Sequence, residues 1–373
     1  MKTPHDSAGL SAKRYIQIDY AKCLGILLVV FGHAIQDIHA NGIMNEYTTI
    51  AFNWIYSFHM PLFFILSGLG LCFKYCKYQI INYSEEIKHL AKRLLIPYCS
   101  WSIIYLIGSC LFTALYKKVS VIDVVLKRGY AFISMRGAPP LWFLAALFLS
   151  NSIFILLLKN KMFREKPLLS HILVITSTII GTVMAYNWFE SIRYSIPYLW
   201  SYPLIAIFRL FPSLLYVEIG YCLGFIWDKI LKTKQTLKVL LFSIFSGLFI
   251  LIKLNLKCSM NMHTFSYSNI YCLLILGVLG SVALIILCCL LPNNMNILAY
   301  TGKKSMDIMI LHYPPMPILR IVVVLFIKLR LGLCLCTITI ITTWLCLTVS
   351  KRILEPIKSI CWRGEINNSL LKT

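Results

Sequence analysis

The sequence predicts an all-α membrane protein, a bundle of about ten transmembrane helices with both termini on the cytoplasmic side. Three observations carry this. Of 373 residues, 59% are hydrophobic and 13% charged, with a mean hydropathy of +0.76; soluble chains average about 45–50% apolar and about 25% charged residues. The apolar residues gather into ten runs, roughly 21–38, 52–73, 94–115, 139–158, 168–189, 203–227, 237–252, 270–291, 305–327 and 331–350, against the ~20 residues that a spanning helix needs. The charge is sided as well as unequal, with 36 Lys+Arg against 14 Asp+Glu and a net +22. With the N-terminus inside, the inner segments hold 23 Lys+Arg, the outer ones 10, and the spans the remaining 3. A Lys/Arg excess marks the cytoplasmic side. The composition excludes a soluble enzyme and a disordered chain. The positive charge reads as cytoplasmic loops and contact with membrane lipids, not as a nucleic-acid surface.

Taken in chain order, residues 1–20 are polar and no small-residue cleavage site follows the first run, which therefore reads as an uncleaved anchor. Residues 1–373 read as one membrane domain, with a core of about 14–350 and a basic tail at 351–373. One outer segment, 116–138, breaks the charge rule with Lys117, Lys118, Lys127, Arg128 and Arg136. It is either an amphipathic helix lying on the membrane or a sign that the span count fails there. The 14 Cys lie almost all in the spans, and the closest groupings (Cys72/Cys76, Cys288/Cys289, Cys334/Cys336) lack paired zinc-ligand spacing. Reduced apolar packing and no metal are the expectation.

Ionisable groups inside a bilayer are costly and usually face the bundle interior or a wet cavity. In the first span Lys22 and His33 are 11 residues apart, which sets them about 20° apart around a helix and about 16 Å apart along it. One face thus carries a cation at the inner mouth and an imidazole past the midplane. Plain alternatives exist: a snorkelling lysine and a histidine bonded to a neighbouring helix. Asp37, one turn on, either orients the His33 ring or is a solvated surface carboxylate. The second span enters as Phe58-His59-Met60-Pro61 and reaches Ser67-Gly68 near mid-span, so His59 lies at a depth comparable with His33. Trp142, at the start of the fourth, is either an interfacial belt residue or a platform for a sugar ring. The ninth carries His312 just before Pro314, Pro315 and Pro317, a cluster expected to break the helix beside a cavity. Arg209 and Glu218 in the sixth are nine residues apart, on opposite faces, so each needs a partner elsewhere. Lys88-His89-Leu90-Ala91-Lys92-Arg93 makes a cationic site at the inner mouth, serving orientation or an anionic cosubstrate.

Four of these stretches resemble the integral membrane acyltransferase 3 family, whose members O-acylate sugars and polysaccharides: Asp19–His33, Phe58–Gly68, Leu141-Trp142-Phe143-Leu144, and Thr301-Gly302-Lys303 through His312. The resemblance implies a ten-helix bundle and an acyl-CoA donor, usually acetyl-CoA, reached from the cytoplasm. It implies His33 as the catalytic histidine. Family members commonly have Arg where this chain has Lys22, which keeps the charge and loses the bidentate fork. Of the family's Arg-x-x-Arg pair, Arg93 matches the second, while Leu90 stands at the first, with Lys92, His89 or Lys88 nearby to compensate.

A neutral imidazole suits the removal of a proton from a sugar hydroxyl as it attacks a thioester. The expected roles follow: His33 as general base, Lys22, Lys92 and Arg93 on the CoA phosphates, and His59, Ser67, Trp142 and His312 around the acceptor. An acyl-histidine intermediate is the variant mechanism. The expected acceptor is a cell-surface or lipid-linked glycan, and the expected location is the inner (plasma) membrane. The rival class is a multi-span polysaccharide exporter or small-molecule transporter; such proteins often show duplicated halves, and this chain has no convincing internal repeat.

Overall fold

In hydrocarbon no water is present to bond the backbone, so each apolar run must satisfy its own N–H and C=O groups as a helix. The computed structural model describes residues 14–39, 46–75, 82–116, 120–256, 258–313 and 331–355. The first run is α1 (Ile16–His39). The second is split at Ser57-Phe58 into α2 (Glu46–Tyr56) and α3 (His59–Tyr75). A short α4 (Tyr83–Leu90) passes through a π turn, Ala91–Leu95, into α5 (Ile96–Tyr116). Then come α6 (Val121–Ile133), α7 (Trp142–Leu158), α8 (Lys161–Glu165) and α9 (Pro167–Ile192). The sixth run is broken at Arg209 into α10 (Tyr198–Phe208) and α11 (Leu210–Phe225), followed by α12 (Trp227–Lys232) and α13 (Gln235–Asn255). Between α13 and α14 (Ile270–Leu290) lies a small hairpin, β1 (Met260–Asn261) antiparallel to β2 (Ser266–Tyr267), with Met260 opposite Tyr267. The last described elements are α15 (Asn296–Lys303), α16 (Ser305–Leu311) and α17 (Leu331–Val349), which ends in a second π turn, Ser350–Leu354.

Among the described residues, eight helical stretches are long and apolar enough to cross a membrane, and α7, at 17 residues, is a shorter apolar helix. The chain is a multi-pass membrane protein. The ninth apolar run is described only to residue 313; Pro314, Pro315 and Pro317 lie outside the described residues. The basic segment 116–138 contains α6, whose 13 residues are too few to span a bilayer. It packs along α5, with the Tyr98 hydroxyl donating to the Phe132 carbonyl at 2.8 Å and Arg128 bonded to Ser109.

Burial separates an inner from an outer ring. The spans of α1, α2–α3 and α10–α11 are 67%, 78% and 67% buried, and α14 is 61% buried, whereas those of α5 and α13 are 17% buried. The outer helices turn Ile103, Ile107, Leu111, Leu240, Ile244 and Leu251 outward, as lipid contact requires. Small residues let the inner backbones touch. A Cβ on Gly68 of α3 would lie 1.9 Å from the Val217 carbonyl oxygen of α11, and one on Gly220 would lie 1.9 Å from that of Ile65. Gly302 of α15 makes the same close approach to Asp19 of α1.

Candidate functional site

A narrow cleft opens at the C-terminal end of α1, with a water-sized cavity of about 30 Å³. Helix α1 contributes His33 and Gln36, the α2–α3 junction Tyr56 and His59, the start of α7 Trp142, and the hairpin loop His263. Tyr56 and His59 lie three residues apart across the Ser57-Phe58 break, with their rings 4.7 Å from each other.

His33 is held by its own helix. Its Nδ1 lies 3.0 Å from Gln36 Oε1, and the Tyr56 hydroxyl donates to the same oxygen at 3.3 Å. An amide oxygen only accepts, so Nδ1 carries the hydrogen, and in the neutral ring Nε2 keeps its lone pair. Gln36, not Asp37, therefore orients the ring. His59 Nδ1 donates to the Ile55 carbonyl at 2.8 Å and His312 Nδ1 to that of Ile308 at 2.9 Å. The same reasoning leaves Nε2 of both rings as acceptors. The His312 ring is 5.2 Å from that of His33, and its Nε2 is buried with no hydrogen-bond partner. His312 thus packs beside His33.

Trp142 forms the opposite wall. The His263 ring stacks near it, centroids 6.0 Å apart and 21° from parallel, and the Arg209 guanidinium lies 4.8 Å from the Trp142 ring centroid. Arg209 is 1% exposed. It donates to the carbonyls of Met135 (2.9 Å), Arg136 (3.3 Å) and His263 (3.5 Å), tying the α6–α7 connection to the hairpin loop. The partner that the sequence required for Arg209 is thus backbone. His263 Nε2 donates to the Gly137 carbonyl at 3.1 Å. Loss of water around its ring, together with the Arg136 and Arg209 cations, pushes its pKa down to about 3.

At the other end of α1, Lys22 is half-buried and within electrostatic reach of Asp19, Arg93 and Arg14. Asp19 is itself buried and accepts two hydrogen bonds from Arg14, at 2.8 and 3.1 Å. Lys92 and Arg93 are exposed on the π turn before α5. Lys22 of α1 and Arg93 of the π turn thus lie within electrostatic reach of each other. Ser67 does not join either group: its hydroxyl is paired with the buried Asn151 of α7, at 2.9 and 3.2 Å.

Gln36, Tyr56, Arg209 and His263 are cleft features that sequence reasoning did not assign. Gln36 had a readable signal, a polar side chain one turn from His33 on the same face. His263 had none, being a loop histidine 230 residues away from His33. A family model described as "Acyltransferase domain" matches residues 15–349. No curated protein and no solved structure matches.

Proposed function

The chain belongs to the acyltransferase family whose domain model spans residues 15–349, and from that premise we propose that it moves an acetyl group from acetyl-CoA to a sugar hydroxyl of a cell-surface or lipid-linked glycan. In this reading the protein has about ten spanning helices, lies in the inner (plasma) membrane, and keeps both termini and the Lys22/Arg93 mouth on the cytoplasmic side. Lys22, Lys92 and Arg93 bind the CoA phosphates there. His33 lies eleven residues along α1, about 16 Å deeper, so the pantetheine arm enters the bundle.

The observation that carries the reading is the His33–Gln36–Tyr56 arrangement at the cleft. It supports a neutral ring with an accepting Nε2, the form a general base needs. His33 Nε2 takes the acceptor hydroxyl proton as the oxygen attacks the thioester carbonyl. The C–S bond then breaks, and the proton passes from His33 to the departing thiolate, giving the sugar ester and free CoA. Trp142, with His263 and Arg209 packed against its ring, walls the acceptor space together with His59, and His312 lies beside His33. Ser67, engaged by Asn151, supports α3–α7 packing and not the acceptor.

The test is His33→Ala in a protein shown to insert normally. The expected result is loss of glycan acetylation, on the order of 10²–10⁴ in rate. Acetylation retained near the wild-type rate refutes the role of His33.

A further inference from the structure

We propose that His171, Glu218 and Cys222 form a binding site for a divalent transition-metal ion of the zinc type, separate from the His33 cleft. Glu218 and Cys222 are four residues apart on α11 and so share one face. His171, in the second turn of α9, packs against that face. His171 Nδ1 lies 2.5 Å from Glu218 Oε1, and Cys222 Sγ lies 3.3 Å from the same oxygen. One ligand atom from each residue falls within 4.8 Å of the others, the one such group among the described residues.

The carboxylate is the second observation. Glu218 is 0% exposed. Oε1 takes both contacts, while Oε2 is buried with no hydrogen-bond partner. A buried carboxylate oxygen left bare is costly, and a cation at the convergence point of the three ligands supplies what it lacks. Tetrahedral zinc, with bonds of about 2.0–2.3 Å, sets its ligand atoms roughly 3.3–3.7 Å apart. The imidazole and carboxylate therefore open by about 1 Å when a zinc ion enters. When the ion binds, the neutral His171 ring takes the tautomer with its hydrogen on Nε2, so that Nδ1 offers its lone pair to the ion, and the Cys222 thiol releases its proton. A doubly charged ion with one carboxylate and one thiolate is neutral, which suits an apolar interior. Imidazole and thiolate ligands select against calcium and magnesium.

His171 keeps 12% of its side chain exposed, which gives the ion a way in. Phe163, Tyr221 and Phe225 ring it at 5.3–5.7 Å. Glu218 lies nine residues beyond Arg209, about 14 Å along α11, so the site clamps α9 to α11 at the end of the bundle remote from the cleft. Three protein ligands leave a fourth position for water.

Cobalt(II) titrated into the purified, reduced, full-length protein in detergent tests this. The expected result is about one tight equivalent with a thiolate-to-cobalt charge-transfer band. Cys222→Ser should abolish the band, and His171→Ala and Glu218→Gln should each weaken zinc(II) binding at least tenfold by competition. Wild-type protein with no tight equivalent, or with no thiolate band, overturns the proposal without recourse to any variant. A band that persists in a monodisperse Cys222→Ser protein overturns it equally.

Discussion

His33 donates through Nδ1 to Gln36, a residue on its own helix one turn further on, at 3.0 Å. The bond fixes which nitrogen of the ring is free to accept, so the acid–base state of the proposed base is set within α1. Gln36→Leu should therefore lower kcat by about tenfold or more, a part of the 10²–10⁴ expected for loss of the base itself. KM for acetyl-CoA should stay unchanged. Steady-state kinetics on the purified protein separate the two, and an unaltered kcat would show that the ring needs no orienting partner.

Lys22 and Arg93, 71 residues apart in sequence, feel each other's charge at one mouth. If they hold CoA phosphates, Lys22→Arg should retain activity and Lys22→Glu should raise KM for acetyl-CoA strongly, with an effect that weakens as salt is added. A KM insensitive to the Glu substitution would remove Lys22 from the donor site.

Arg209 bonds three carbonyls from two separate loops. Arg209→Met should strand buried acceptors at about 1–3 kcal/mol each and loosen the Trp142 wall. The melting temperature in detergent and the acceptor KM should change together. A variant with the wild-type melting temperature would show that the loops hold without it.

Gly220 touches the backbone of α3. Gly220→Val should destabilise the bundle by about 1–3 kcal/mol through overpacking. Gly70→Val is the control, because a Cβ there meets nothing within 4 Å. Thermal melts compare the two, and equal losses would argue against a special α3–α11 contact.

His263 has a folded-state pKa lowered from 6.5 to about 3. Between those values the unfolded chain binds a proton that the folded ring does not. Its contribution to stability is therefore complete above pH 6.5 and is lost as pH falls toward 3. Melting curves from pH 7 to pH 4 should fall less steeply for His263→Gln than for the wild type. Parallel slopes would mean that the hairpin loop does not report this proton.

What the sequence determined by itself is what depends on neighbours along the chain. Runs of about 20 apolar residues fix spanning helices. The Lys22–His33 spacing survives in the structure because α1 is one unbroken helix. His59 and Trp142, which line the cleft, each stand next to a Pro-containing span end, a feature visible in the sequence. The tertiary structure alone decided how the helices rotate against one another. It turned Ser67 toward Asn151, set Gln36 rather than Asp37 against the His33 ring, gave Arg209 a backbone partner, and brought His263 to Trp142 and His171 to Glu218. The physical reason is that hydropathy specifies which segments leave water but is nearly blind to angle about the helix axis. That angle is set by close backbone contacts such as Gly68 against Val217 and by buried polar groups finding one another, and neither is visible in a run of Leu, Ile and Phe.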